Sequence, residues 1–218
     1  MFDITLSFDN GPEPEVTPAV LDILAEHRLK ATFFVIGKKL EDPLRRAICE
    51  RAHAQGHWIG NHTFTHSVPL GRRSEADVGR SEIGRTQDLI GDMVHPDRFF
   101  RPFGGGGNLD NSLLSTSVVD YLRRGRYTCV LWNAIPRDWE DPDGWVDRAI
   151  DQCRSQPWTL IVLHDLPTGA MQHLDRFIAT IRKMGARFHQ EFPAQCLPIV
   201  RGELAFAIDP FVSEGIVS

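Results

Sequence analysis

Six short apolar runs punctuate the chain: ITLSF at 4–8, ATFFVI at 31–36, HWIGN at 57–61, RFF at 98–100, YTCVLW at 127–132 and TLIVL at 159–163. Runs of this length, rich in β-branched and aromatic residues and without polar alternation, predict strands covered on both faces. Between them apolar residues recur at helical spacing. Val16, Val20, Ile23 and Leu24 share one face, and Leu114, Val118, Tyr121 and Leu122 another. The same spacing joins Val146, Ala149, Ile150 and Cys153, then Leu174, Phe177, Ile178 and Ile181. Segments 40–52 and 75–93 read as helical with weaker periodicity. Strand and helix therefore alternate, which predicts a parallel sheet with crossover helices. A closed or nearly closed barrel and an open doubly wound sheet both satisfy that order.

Composition narrows the partners more than the fold. The 218 residues are 42% hydrophobic and 24% charged, with no linker or low-complexity break, so one domain spanning 1–218 is predicted. A net charge of −5 leaves no electrostatic footprint for nucleic acid or an anionic membrane. Cys49, Cys129, Cys153 and Cys196 form no C-x-x-C pair, so neither a zinc ribbon nor a dithiol redox motif is supported. Buried free thiols in a reducing compartment are expected. The start, MFDITLSF, shows no basic n-region and no long apolar h-region, and no segment is long enough to span a bilayer. The expected location is cytoplasmic.

Reactive side chains gather at one end of these elements. Asp9 follows strand 4–8, His62 follows 57–61 and Arg101 follows 98–100. Asp138 and Trp139 follow 127–132 after a short loop, and His164 and Asp165 follow 159–163. In parallel α/β architectures the C-terminal strand ends converge on one face, where ligands bind. In NHTFTH at 61–66, His62 and His66 are four apart, close enough on a helical turn to grip one metal ion of the zinc type. Taken alone, H-x-x-x-H is more often two incidental histidines; beside Asp9 and Asn10, metal is favoured. His164, directly after an apolar strand, suits proton donation to a departing amine, with Asp138 of RDWEDP as its orienting carboxylate. Arg101 of RPFGGGGN is a candidate partner for Asp9. The glycines at 104–107 lack the Gly-Lys-Ser/Thr of a P-loop, and no G-x-S-x-G nucleophile elbow is present.

Assembled in order, these residues resemble the polysaccharide deacetylase superfamily, also called the NodB-homology or carbohydrate esterase 4 family. That family's T-F-D-D-G-P is similar to SFDNGP here, and its H-S/T-x-x-H to HTFTH. Its R-x-P-F/Y-G matches RPFG, one residue shorter; D-x-x-D-W matches IPRDW, and L-x-H matches VLH. The resemblance implies a distorted (β/α)7-like barrel and metal-dependent hydrolysis of an amide, usually N-acetyl on an amino sugar. Carried over, Asp9 would be the general base, His164 the general acid, Asp138 its partner, and Arg101 the residue that tunes Asp9. His62 and His66 would hold the metal. Trp139 and Val162 would wall in an acyl methyl, and a backbone N–H near Phe103 would share the oxyanion.

Two departures qualify what the resemblance implies. Asn10 stands where the family has its metal-binding aspartate, and an amide oxygen brings no charge. A divalent metal, zinc by family habit, is therefore expected to be weakly held or absent. Ile135 replaces the first aspartate of the fourth motif and makes that edge of the pocket apolar. The leading expectation is N-deacetylation of an amino sugar or chitooligosaccharide. A small cyclic amide or ureide hydrolase of allantoinase type is the second, and a catalytically degenerate glycan-binding member the third. The substrate expected is a small soluble glycan or small amide. The apolar tail 193–218 either covers the barrel or meets a second subunit.

Overall fold

The computed structural model describes residues 1–213. In chain order, β1 (Phe2–Asp9), α1 (Thr17–Glu26), β2 (Thr32–Val35), α2 (Pro43–Ala54) and β3 (Trp58–Asn61) form the first half of a wound α/β sheet. A six-residue π-turn at Gly79–Gly84 then leads into α3 (Arg85–Ile90), followed by β4 (Phe99–Phe100), β5 (Leu114–Ser115), α4 (Thr116–Arg124) and β6 (Thr128–Cys129). The remainder comprises α5 (Trp145–Arg154), β7 (Trp158–His164), α6 (Leu174–Lys183), β8 (Ala186–His189), β9 (Ile199–Val200), β10 (Glu203–Leu204) and β11 (Val212–Ser213).

The main sheet runs β10-β9-β6-β4-β3-β2-β1-β7, with β8 beside the N-terminal half of β1. Strands β1 to β4, β6 and β7 pair in parallel. The sheet curls until the segment after β6 meets β7 through one bridge, Ala134 to Ile161, where the Val162 N–H donates to the Ala134 carbonyl at 3.0 Å. That narrow seam turns the sheet into the distorted barrel expected of the resemblance. Register then does the positioning: along β1 and β7 the pairs run from Asp3–Trp158 to Asp9–His164.

The reading of strand 4–8 as lacking alternation needs correction. Ile4, Leu6 and Phe8 pack with Leu21, Leu24 and Phe177 under the helices, whereas Ser7 and Asp9 bond to Arg101 on the other face. Both faces are buried, but the inner one is polar. Leu114 also moves from helix to strand β5, so its helical face begins only at Thr116, where the Ser115 hydroxyl accepts the Val118 N–H as an N-cap. The weak periodicity over 75–93 has its cause in the π-turn, which inserts a wider turn and shifts the apolar register.

The four cysteines are buried and free, as expected, and burial pushes the Cys49, Cys129, Cys153 and Cys196 thiols up to about 12. The tail folds back on the barrel as far as it is described: β9 pairs with β6 and β11 with β5. Its last five positions, 214–218, lie outside the described residues. Among the described residues no helix is long and apolar enough to cross a membrane.

Candidate active site

Asp9 ends β1 with its carboxylate 4% exposed. One oxygen, Oδ1, accepts a hydrogen bond from Arg101 Nη1 at 2.7 Å, and the same guanidinium nitrogen donates to Ser7 Oγ at 2.8 Å. The other, Oδ2, lies 3.5 Å from His62 Nε2. Arg101 is itself fully buried, donating to the Val130 and Leu131 carbonyls, with its guanidinium 4.0 Å from the centre of the Phe34 ring. It stands behind Asp9 and does not line the cavity, so its contact with the site is through the Asp9 carboxylate.

His62 and His66 do meet, with ring centroids 4.7 Å apart, but not on a helical turn. The segment is a tight loop in which Thr63 (φ 66°) and His66 (φ 50°) adopt left-handed backbone. His62 Nδ1 lies 2.9 Å from the Arg101 carbonyl, which can only accept, so Nδ1 carries the hydrogen and Nε2 presents its lone pair to the cavity. Burial holds both imidazoles neutral, pushing His62 and His66 down to about 3. Neutral imidazoles are the metal-ligating form.

Asn10 has φ 76°, a left-handed turn that asparagine tolerates, and its Oδ1 is buried with no hydrogen-bond partner among the described residues. Lys39 holds the backbone of this turn through the Asn10 carbonyl at 2.6 Å. Among the described residues, no three His, Cys, Asp or Glu side chains form a metal-holding group. What the site offers is two imidazoles and one orphaned amide oxygen. That donor set fits a divalent ion of the zinc or cobalt type, without a ligand charge to hold it tightly.

Beside Asp9, on the neighbouring strand, His164 is gripped twice by Asp138. Asp138 Oδ2 accepts the His164 backbone N–H at 2.8 Å and its Oδ1 faces Nδ1 at 2.9 Å. Burial pushes the His164 imidazole down, but the bond to Asp138 and that carboxylate's charge outweigh it, so the net shift is upward. Nε2 is left for the cavity, and the Trp139 ring packs edge-on at 4.7 Å.

Asp9, Asn10, His62, His66 and His164 line one cavity of about 220 Å³. Its walls include Phe103, Trp139 and Val162, with the Phe103 ring 4.0 Å from that of His66. The glycine run folds over two apolar side chains. A Cβ at Gly107 would lie 2.5 Å from Ile135 Cδ1, and Trp132 Nε1 donates to the Gly107 carbonyl at 3.2 Å. Ile135 thus forms part of the apolar wall.

The strand-end argument placed Asp165 with this group, and the structure does not. Asp165 turns away from the cavity, accepts a bond from the Thr17 hydroxyl and packs against Gly11, where any Cβ would collide with it. Two residues in contact with the site lay outside the sequence reading. Ser7, which accepts from Arg101, sits in an apolar run, and Trp132 read only as strand. Trp132 alone carried a signal, being aromatic at a strand's C-terminal end.

A polysaccharide deacetylase family model matches residues 2–121, and the chain belongs to that family. It is 38% identical over 170 residues to a chitooligosaccharide deacetylase of Sinorhizobium fredii, covering 74% of this chain and 71% of that one. It is 31% identical over 193 residues to a peptidoglycan-N-acetylglucosamine deacetylase of Bacillus cereus, covering 85% of this chain and 66% of the relative. Among solved structures, a family 4 acetyl xylan esterase from Clostridium thermocellum in complex with a cobalt ion superposes with a TM-score of 0.69 at 28% identity, covering 86% and 87% of the two chains.

Proposed function

We propose that this chain hydrolyses an amide, removing an N-acetyl group from an amino sugar or short chitooligosaccharide. The observation that carries the reading is the pairing of Asp9 with His164 across β1 and β7, with both side chains opening on one cavity. The family and the two deacetylase relatives support the reaction class.

In this reading Asp9 Oδ2 takes a proton from water, and the oxygen so activated attacks the amide carbonyl carbon. As the carbon–nitrogen bond breaks, His164 Nε2 gives its proton to the departing amine. Arg101 and Asp138 are positioning residues: the first holds Asp9, the second keeps His164 oriented and protonated. His62, His66 and Asn10 would hold a divalent ion, which when bound supplies Lewis-acid polarisation of the carbonyl and the water. A backbone N–H near Phe103 would share the developing oxyanion, and Trp139 and Val162 would enclose the acyl methyl.

The test offers acetylated chitooligosaccharides and cyclic ureides side by side, with and without added zinc or cobalt. Acetate release that rises with metal is the expected result. Ureide ring opening without acetate release would replace this reading with a cyclic amide hydrolase. Glycan binding with neither reaction would replace it with a binding protein.

A further inference from the structure

The loop that carries both candidate ligand histidines is strained, and something outside it must hold it. Thr63 and His66 are non-glycine residues in the left-handed region, which L side chains rarely adopt. Such backbone persists only where the surroundings over-determine it. Inside the loop, Asn61 Oδ1 accepts the Thr63 N–H and Thr63 Oγ1 accepts the His66 N–H, both at 3.1 Å. The N–H groups of Phe64 and Thr65, lying between the two histidines, go elsewhere.

They go to Glu82, a carboxylate only 3% exposed. Its Oε2 accepts both N–H groups at 2.9 Å. Its Oε1 accepts the Thr65 hydroxyl at 2.8 Å and Arg73 Nη1 at 2.5 Å. All four acceptor directions of a carboxylate are thereby used, by charge-assisted bonds. Glu82 does not line the cavity and takes no part in the proton transfers. Its backbone belongs to the π-turn, where Gly79 admits the Tyr121 ring and Gly84 the Tyr121 hydroxyl at distances no Cβ would tolerate. Asn61 closes the link from the other side, donating through Nδ2 to the Ile83 carbonyl at 2.8 Å. π-turns inside helices gather at functional sites, and here the turn delivers one buried charge to one loop.

We propose that Glu82 is a positioning residue that holds His62 and His66 in register for a shared ligand. A simple Glu82–Arg73 ion pair would need no bonds to the Phe64 and Thr65 N–H groups. The ligand part of this proposal rests on the metal reading above; the loop-holding part does not.

The test compares Glu82→Gln with wild type in two states. In the metal-free protein, NMR reads the His62 and His66 ring resonances and the exchange protection of the Phe64 and Thr65 amides. With cobalt(II) added, calorimetry reads affinity and visible absorption reads ligand geometry. Glu82→Gln keeps one accepting oxygen but sets a donating NH2 against Arg73 and the Thr65 hydroxyl or against the two N–H groups, and is expected to move both ring resonances, lower the protection of those two amides and weaken cobalt binding about 10- to 100-fold. Thr65→Ala, which removes one donor to the same carboxylate, is the milder variant should Glu82→Gln not fold, and is expected to weaken binding a few-fold. Unchanged rings, amides and cobalt affinity in a folded variant overturn the proposal. A wild type that binds no cobalt contradicts the metal reading instead, and the metal-free resonances then decide the role of Glu82.

Discussion

Arg101 reaches Asp9 from within the barrel: Nη1 sits 2.7 Å from Oδ1, leaving Oδ2 turned to the cavity beside His62. The two oxygens of one carboxylate therefore face different surroundings. One is fixed by a buried cation and the other is free for a proton. Desolvating both charges is costly, and only the completed pair with its extra bonds offsets that cost. Arg101→Met leaves the Asp9 charge buried and alone. It is expected to lower unfolding free energy by about 3–5 kcal/mol in urea titration. A loss below about 1 kcal/mol would mean that the pair is not desolvated.

In the proposed mechanism Asp138 keeps His164 protonated. The imidazole sits above its ordinary value because the carboxylate outweighs burial. A general acid works while protonated, so activity falls as pH rises through its pKa. Asp138→Asn removes the charge, lowers that pKa and should move the alkaline limb of the kcat/KM profile to lower pH. A limb that stays in place would assign the proton to another group.

In the metal reading proposed above, Asn10 would offer a neutral oxygen where a charge would tighten the grip. Asn10→Asp is expected to raise zinc or cobalt affinity at least 10-fold by calorimetry, since an anionic oxygen adds Coulombic attraction to the same geometry. Equal affinities would show that Oδ1 does not face the ion.

Asp165 supplies a pH signature separate from catalysis. Burial lifts its carboxyl from an ordinary 3.8 to about 6, with the Thr17 bond opposing the rise. Between those values the folded protein keeps a proton that the unfolded chain has lost. The stability due to this group is therefore full below the lower value and is lost as pH rises through the upper one. Asp165→Asn has no such dependence. Relative to wild type, it should gain on the order of 1–3 kcal/mol between the two values, read by denaturant titration at each pH. A pH-independent difference would contradict a buried, titrating Asp165.

Much of this was legible before any coordinates. The strands of β1, β2 and β7 announce themselves because both faces are buried, and Asp9, His62, Arg101 and His164 because each stands where such a strand stops. Leu114 misled because a short strand and a helix start can share one apolar position. β8, ARFH, was missed because its side chains are half-exposed and mixed in character. Glu82 and Ser7 were invisible for a different reason. Each acts through partners that only the folded chain brings near, and neither changes the local pattern. Asp165 shows the converse: adjacency to His164 in sequence said nothing about which way it points.

In the proposed function Asp9 and His164, neighbours on β1 and β7, act as one unit on one cavity. The decisive measurement is kcat/KM for acetate release in Asp9→Asn, His164→Asn and the double variant. Groups acting as a unit are strongly non-additive. Each single variant is expected to lose at least about 100-fold and the double to lose little more. Either single variant retaining near wild-type turnover, or losses that multiply in the double, would contradict the proposed function.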